Sequence, residues 1–146
     1  MPKKAPSETT PTPTEKAHTT GRWAETLFRA LSTRVAKRWQ FISFRGTGKG
    51  EWRGVVDILA IRKDTTQPTA TDLKRGDLFD IVLVQIKGGS ARMPSPEDCS
   101  RLQSVAKFYE AKAVVLFTWV KGERAEFSVL QPNGTWKLSS ANEIFG

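Results

Sequence analysis

Apolar residues return at helical spacing between Arg22 and Gln40: Leu27, Leu31, Val35 and Trp39, with Ala24 and Phe28 beside them. That period predicts a helix over Arg22–Gln40. Beyond it the pattern changes to short apolar runs. Phe41–Phe44, Gly54–Ile61 and Phe79–Lys87 predict three strands, separated by the glycine-rich turn Gly46–Gly50 and by a polar loop over 64–78. A second helix follows. Ser95 stands as its N-cap, Pro96 at its first position and Asp98 two further on, and Leu102, Val105, Ala106 and Tyr109 give it an apolar face up to about Glu110. Ala113–Thr118 reads as a fully buried strand. Glu126–Leu130 alternates Phe127 and Val129 against Glu126 and Ser128, and Trp136–Leu138 pairs back across the turn Pro132-Asn133-Gly134. The predicted order is one helix, three strands, one helix and two strands with a terminal hairpin.

Two of these strands carry polar groups where a packed strand should be apolar. Asp57 interrupts Val55-Val56 and Ile58-Leu59, and Gln85 and Lys87 end the run Ile81–Ile86. Gln85 and Lys87 are two apart, so they share one face of their strand. A buried carboxylate, amide or ammonium is costly unless it is paired or binds an ion. An acid on one strand, with a polar group and a lysine at the end of the next, is how a metal-dependent phosphodiesterase assembles its site. Glu25 falls on the border of the first helix's apolar arc. The glycine turn lacks the length and ending of a P-loop and receives no nucleotide role.

Composition narrows the chemistry. The chain has 146 residues, enough for one core, and a formal net charge of +8. The predicted first helix holds five cations against Glu25, a net +4 and half of the excess. Such a balance points to a polyanion, most often nucleic acid. A lone cysteine, Cys99, removes any internal disulfide framework and fits a cytoplasmic protein. A lone histidine, His18, removes His-based zinc sites, so a metal would be held by oxygen. No apolar run approaches a membrane span or a signal peptide. Residues 1–20, rich in Pro, Thr and Lys, read as a disordered basic tail before a single domain over 21–146.

The order of elements, with an acid in the first helix, an acid in the second strand and Gln85-Ile86-Lys87 at the end of the third, resembles the PD-(D/E)xK nuclease superfamily. The likeness spans about residues 22–120 and is strongest to the archaeal Holliday-junction resolvases and related phage or restriction-type endonucleases. It implies an α/β fold with a restriction-endonuclease-like αβββαβ core, a mixed central sheet flanked by helices. It further implies a DNA endonuclease selective for branched substrates, dependent on Mg²⁺ or Mn²⁺, with a homodimer as a further expectation. By the same resemblance Glu25, Asp57 and Gln85 would hold metal, Lys87 would activate water and stabilise charge on the phosphate, and Gln103 would be an accessory residue. Arg22, Arg29, Lys49, Arg53 and Arg92 would flank the site and bind phosphates without reading sequence. The family usually has Asp or Glu where this chain has Gln85, which brings an oxygen and no charge. That departure leaves open a catalytically decayed, nucleic-acid-binding nuclease fold. A scaffold domain is the third reading, with Asp57 merely paired to Arg29 or Arg53, Glu25 acting as helix N-terminal chemistry, and Gln85 and Lys87 at a solvated strand end.

Overall fold

The computed structural model describes residues 13–44, 54–89 and 93–146, with the backbone alone over 13–21. Helix α1 (Pro13–Val35) is followed by strands β1 (Gln40–Ser43), β2 (Ile58–Lys63) and β3 (Phe79–Gly88). Helix α2 (Pro96–Tyr109) leads into β4 (Ala113–Trp119), β5 (Glu126–Leu130) and β6 (Trp136–Ser139), and a short α3 (Ala141–Phe145) ends the chain. The six strands form one sheet in sequence order. Only β3 and β4 are parallel, with Gln85 beside Leu116 and Lys87 beside Thr118, and every other neighbouring pair is antiparallel. A parallel pair needs a crossover of a dozen or more residues, and α2 supplies it. The sheet is therefore mixed, with helices on its faces, and the αβββαβ order read from the sequence is present.

Side-chain alternation along β3 divides the core in two. Val82, Val84 and Ile86 point to the α1 side, where they meet Ile58, Ala60, Val115, Phe117, Ala24 and Phe28. Leu83 points to the α2 side with Val55, Val114 and Leu102. Phe28 is the hub of the first cluster, edge-on to Phe41 at 5.7 Å and to Phe117 at 5.5 Å. Burying one such side chain contributes about 1.5–3 kcal/mol, so this face anchors the sheet. Ser95 and Asp98 close a full capping box at the start of α2, Asp98 N–H to Ser95 Oγ at 3.1 Å and Ser95 N–H to Asp98 Oδ2 at 3.2 Å.

Three boundaries differ from the sequence reading. The first helix starts at Pro13 and stops at Val35, so its opening turns lie in the stretch read as a tail, while residues 1–12 lie outside the described residues. At the other end Arg38 takes a left-handed backbone, φ 63°. That turn drops Trp39 into the core, 5.6 Å from Phe145 and 4.4 Å beneath the Arg62 guanidinium, instead of continuing the helical stripe. The second strand begins its ladder at Ile58 and runs on to Lys63, so Val55, Val56 and Asp57 precede it.

Helix α3 has no counterpart in the sequence reading. Ser140 caps it by accepting the Glu143 N–H at 3.2 Å, and Phe145, fully buried, joins the aromatic cluster on Phe28 and Phe41. Its signal was present as Ser140-x-x-Glu143 before Ile144-Phe145, the pattern of a capped helix start. Residues 64–78 form a loop, as their composition predicts, pinned where Asp64 accepts the Thr66 N–H at 2.8 Å. Among the described residues no helix is long and apolar enough to cross a membrane.

Candidate functional site

The site grows from the point where β2 leaves β3. The last register pair of that ladder is Ile58 with Val84. Asp57 comes one residue earlier, its N–H donating to Val84 O at 2.8 Å and its carbonyl accepting the Phe44 N–H at 3.0 Å. The next N–H of β3 on that side belongs to Ile86. It donates to the Asp57 carboxylate, Oδ2, at 2.7 Å, and not to a backbone carbonyl of β2. A charged acceptor on a backbone N–H is worth about 1.5–3 kcal/mol, enough to fix the carboxylate against the middle peptide of Gln85-Ile86-Lys87. The sequence reading has Asp57 inside the strand. Its actual role is to end the ladder, with a side chain in place of the backbone acceptor.

Gln85 lies on the α2 face of β3, the side opposite Val84 and Ile86. It is only 6% exposed, and its Oε1 has no hydrogen-bond partner among the described residues. An unpaired buried acceptor costs about 1–3 kcal/mol, which makes Gln85 the most anomalous polar group of the sheet. Lys87, half-buried, shares its face two residues further on, just before β3 ends at Gly88. One end of the β2–β3 pair thus brings together a carboxylate, an unsatisfied amide oxygen and a lysine. Solvated strand-end chemistry does not describe Gln85.

Glu25 comes from helix α1. It is mid-helix on α1, so it is not first-turn capping chemistry, and it pairs with Arg29 at 3.7 Å one turn on. Helix α1 packs on the Val82–Val84–Ile86 face, whereas Gln85 and Lys87 share the other. Arg22 is exposed on the same helix. Arg29 is engaged with Glu25. Lys49, Arg53 and Arg92 lie outside the described residues. Gln103 is placed elsewhere: its Nε2 donates to Gln131 O at 3.1 Å and Pro132 O at 3.2 Å, tying α2 to the β5–β6 turn. Cys99 is buried on α2.

The donors suit a hard cation in type. Asp57 and Gln85 offer oxygen only, as Mg²⁺ or Mn²⁺ prefers. No group of three or more His, Cys, Asp or Glu side chains gathers among the described residues, so the set falls short of a full acidic cage.

No protein-family profile matches the chain, and no curated protein does. Among solved structures it is similar to Archaeoglobus fulgidus Hjc, a Holliday junction resolvase from an archaeal hyperthermophile. The two share 13% identity over 86% of this chain and 100% of that one, with a TM-score of 0.49. A likeness at that level transfers no residue roles.

Proposed function

We propose that the chain is a metal-dependent endonuclease acting on DNA through Asp57, Gln85 and Lys87. The observation that carries this reading is the buried, unpartnered Gln85 oxygen on the strand whose Ile86 N–H holds the Asp57 carboxylate. Asp57 and Gln85 would hold a cation through oxygen, the donor type that Mg²⁺ or Mn²⁺ prefers. When bound, Mg²⁺ or Mn²⁺ supplies Lewis-acid charge beside the scissile phosphate. Asp57 fixes the position of that charge, because its second role on Ile86 N–H leaves the carboxylate little freedom. Lys87 brings a positive group to the same face, where charge develops on the phosphate as the phosphodiester bond breaks. Glu25, with Arg29 at its side, is the candidate second acid. The basic excess of the chain supplies phosphate affinity independent of sequence. Branched or junction DNA as the preferred substrate follows from the motif resemblance.

One specific observation favours a second reading. With Gln85 in place of an acid, the donor set holds two negative charges at most. On that ground the chain would be a decayed nuclease fold that binds nucleic acid without cutting it. Incubation with duplex, single-stranded, flap and four-way DNA, in Mg²⁺, Mn²⁺ or EDTA, separates the two. Cleavage that needs metal and disappears in Asp57→Asn and Lys87→Ala supports the enzyme. Binding without cleavage of any substrate, with cleavage appearing in Gln85→Glu, establishes the decayed fold. Cleavage that persists in Asp57→Asn removes Asp57 from the site.

A further inference from the structure

A second charged feature lies at the far end of the same two strands. Between the end of β2 and the start of β3 is an open cavity of about 660 Å³, lined by Arg38, Arg62, Lys63 and Arg75, with Phe79 on its wall. No acid lines it. Asp80, the nearest carboxylate on β3, is already held by Arg62 at 3.0 Å and approached by Lys112 at 3.9 Å. Asp64, next to Lys63, turns its carboxylate to the Thr66 N–H and hydroxyl. Six residues of strand separate Asp57 from Lys63, roughly 20 Å at about 3.3 Å each, so one phosphate cannot touch both ends.

The lining is of two kinds. Arg62 is structural, clamped between Asp80 and the Trp39 ring. Lys63 and Arg75 are exposed. Arg38 stands at the rim on a left-handed backbone that glycine enters without strain, so the turn itself has no need of an arginine. Phe79 leaves 56% of its surface in water, a large apolar ring among cations at the mouth of a cavity. Cations around an exposed ring are the two parts that hold an unpaired nucleic-acid strand: charge follows the phosphates, and the ring takes the face of an unstacked base.

We propose that this cavity binds a single-stranded stretch of nucleic acid, with phosphates on Arg38, Lys63 and Arg75 and one base stacked on Phe79. The site is separate from the candidate cleavage site and stands whether or not that site cuts. Its test runs in EDTA, where cleavage plays no part. The anisotropy of a fluorescein-labelled 12-nucleotide oligothymidylate and of a 12-base-pair duplex is followed across a salt series. Lys63→Glu with Arg75→Glu should weaken oligothymidylate binding at least tenfold and lower the salt slope by about 1.4, two contacts at about 0.7 each. Lys121→Glu with Arg124→Glu, exposed in the β4–β5 turn, makes the same change of net charge elsewhere and should have a much smaller effect. Phe79→Ala should weaken the oligothymidylate about 5- to 100-fold and leave the duplex nearly unchanged. Arg38→Gly should weaken binding while the melting temperature holds or rises. Equal losses from the two charge-reversal pairs, or oligothymidylate affinity indifferent to Phe79→Ala, would overturn the proposal.

Discussion

Replacing Asp57 tests the geometry of the candidate site before any activity is measured. In Asp57→Ala the Ile86 N–H loses its acceptor while β2 has no carbonyl placed to replace it. The bond is charge-assisted and partly buried, and an unpaired N–H there costs about 1–3 kcal/mol, so about 2 kcal/mol is expected. For a chain of this size 1 kcal/mol moves the melting temperature by about 2–4 °C, which puts Asp57→Ala about 4–8 °C below wild type. Asp57→Asn keeps an oxygen for Ile86 and loses only the charge, a cost of about 1 kcal/mol. Urea unfolding followed by tryptophan fluorescence reads both, with an unchanged m-value confirming that the same surface is exposed. Asp57→Ala within about 0.5 kcal/mol of wild type would refute the bond, and with it the placement of the carboxylate beside Gln85 and Lys87. The stability order also decides which variant reports on chemistry. Loss of cleavage in Asp57→Ala mixes folding with catalysis, whereas Asp57→Asn isolates the charge.

Two further outcomes follow from the fold. Phe145→Ala removes a fully buried ring that touches Phe28, Trp39 and Phe41, and should cost about 3–5 kcal/mol in urea, against less than about 0.5 kcal/mol for Leu138→Ala on the exposed edge strand. Hydrogen bonds from the Thr66 hydroxyl and N–H hold the Asp64 carboxyl below its ordinary range. The folded loop therefore favours the ionised form: its contribution is complete above the ordinary carboxylate range and is lost as pH falls through the lowered value. The Thr66 amide resonance should shift with an apparent pKa below that of an unstructured aspartate, and in Thr66→Ala the Asp64 titration should move back up.

Periodicity carried most of the fold. The strands Phe79–Lys87 and Ala113–Thr118 were legible as apolar runs, and the helix after Ser95 by its cap and its helically spaced apolar face. Boundaries failed where tertiary contacts outweighed local pattern. Trp39 fits the helical stripe of Leu27, Leu31 and Val35, yet the core claims it from a turn, where it meets Phe145, a residue more than a hundred positions away. No local signal carries that contact. The same holds at the candidate site. Asp57 and Gln85-x-Lys87 could be picked out as polar intrusions in apolar strands, but the bond from Ile86 N–H to Asp57 is a pairing between strands, and the sequence holds no trace of it. Gln103 fits a border position on its helix equally well as an accessory group or as a tie to the β5–β6 turn. Only the carbonyls of Gln131 and Pro132 distinguish the two. The basic cavity escaped because its cations come from three separate segments and converge only when β1, β2 and β3 align.

Gln85 also makes an energetic claim that can be tested without a substrate. A second carboxylate at this position would lie near Asp57, whose own carboxylate is bonded to the next residue of β3. At separations of about 4–8 Å and an effective dielectric near 20, two such charges repel by about 2–4 kcal/mol. Gln85→Glu should therefore be less stable than wild type in EDTA. Mg²⁺ should recover that loss, because a ligand that binds only the folded state stabilises it in proportion to its affinity. Gln85→Leu has the opposite signature. It removes the unpartnered buried oxygen, should gain about 1–3 kcal/mol in EDTA, and should show no response to Mg²⁺. Wild type should fall between them, with a small rise in melting temperature at millimolar Mg²⁺. The crossing of these lines is the diagnostic: leucine most stable without metal, glutamate most improved by it. If Gln85→Glu melts at the same temperature in EDTA and in Mg²⁺, no cation binds at this oxygen pair, and the metal-dependent reading of the site fails whatever the chain does to DNA.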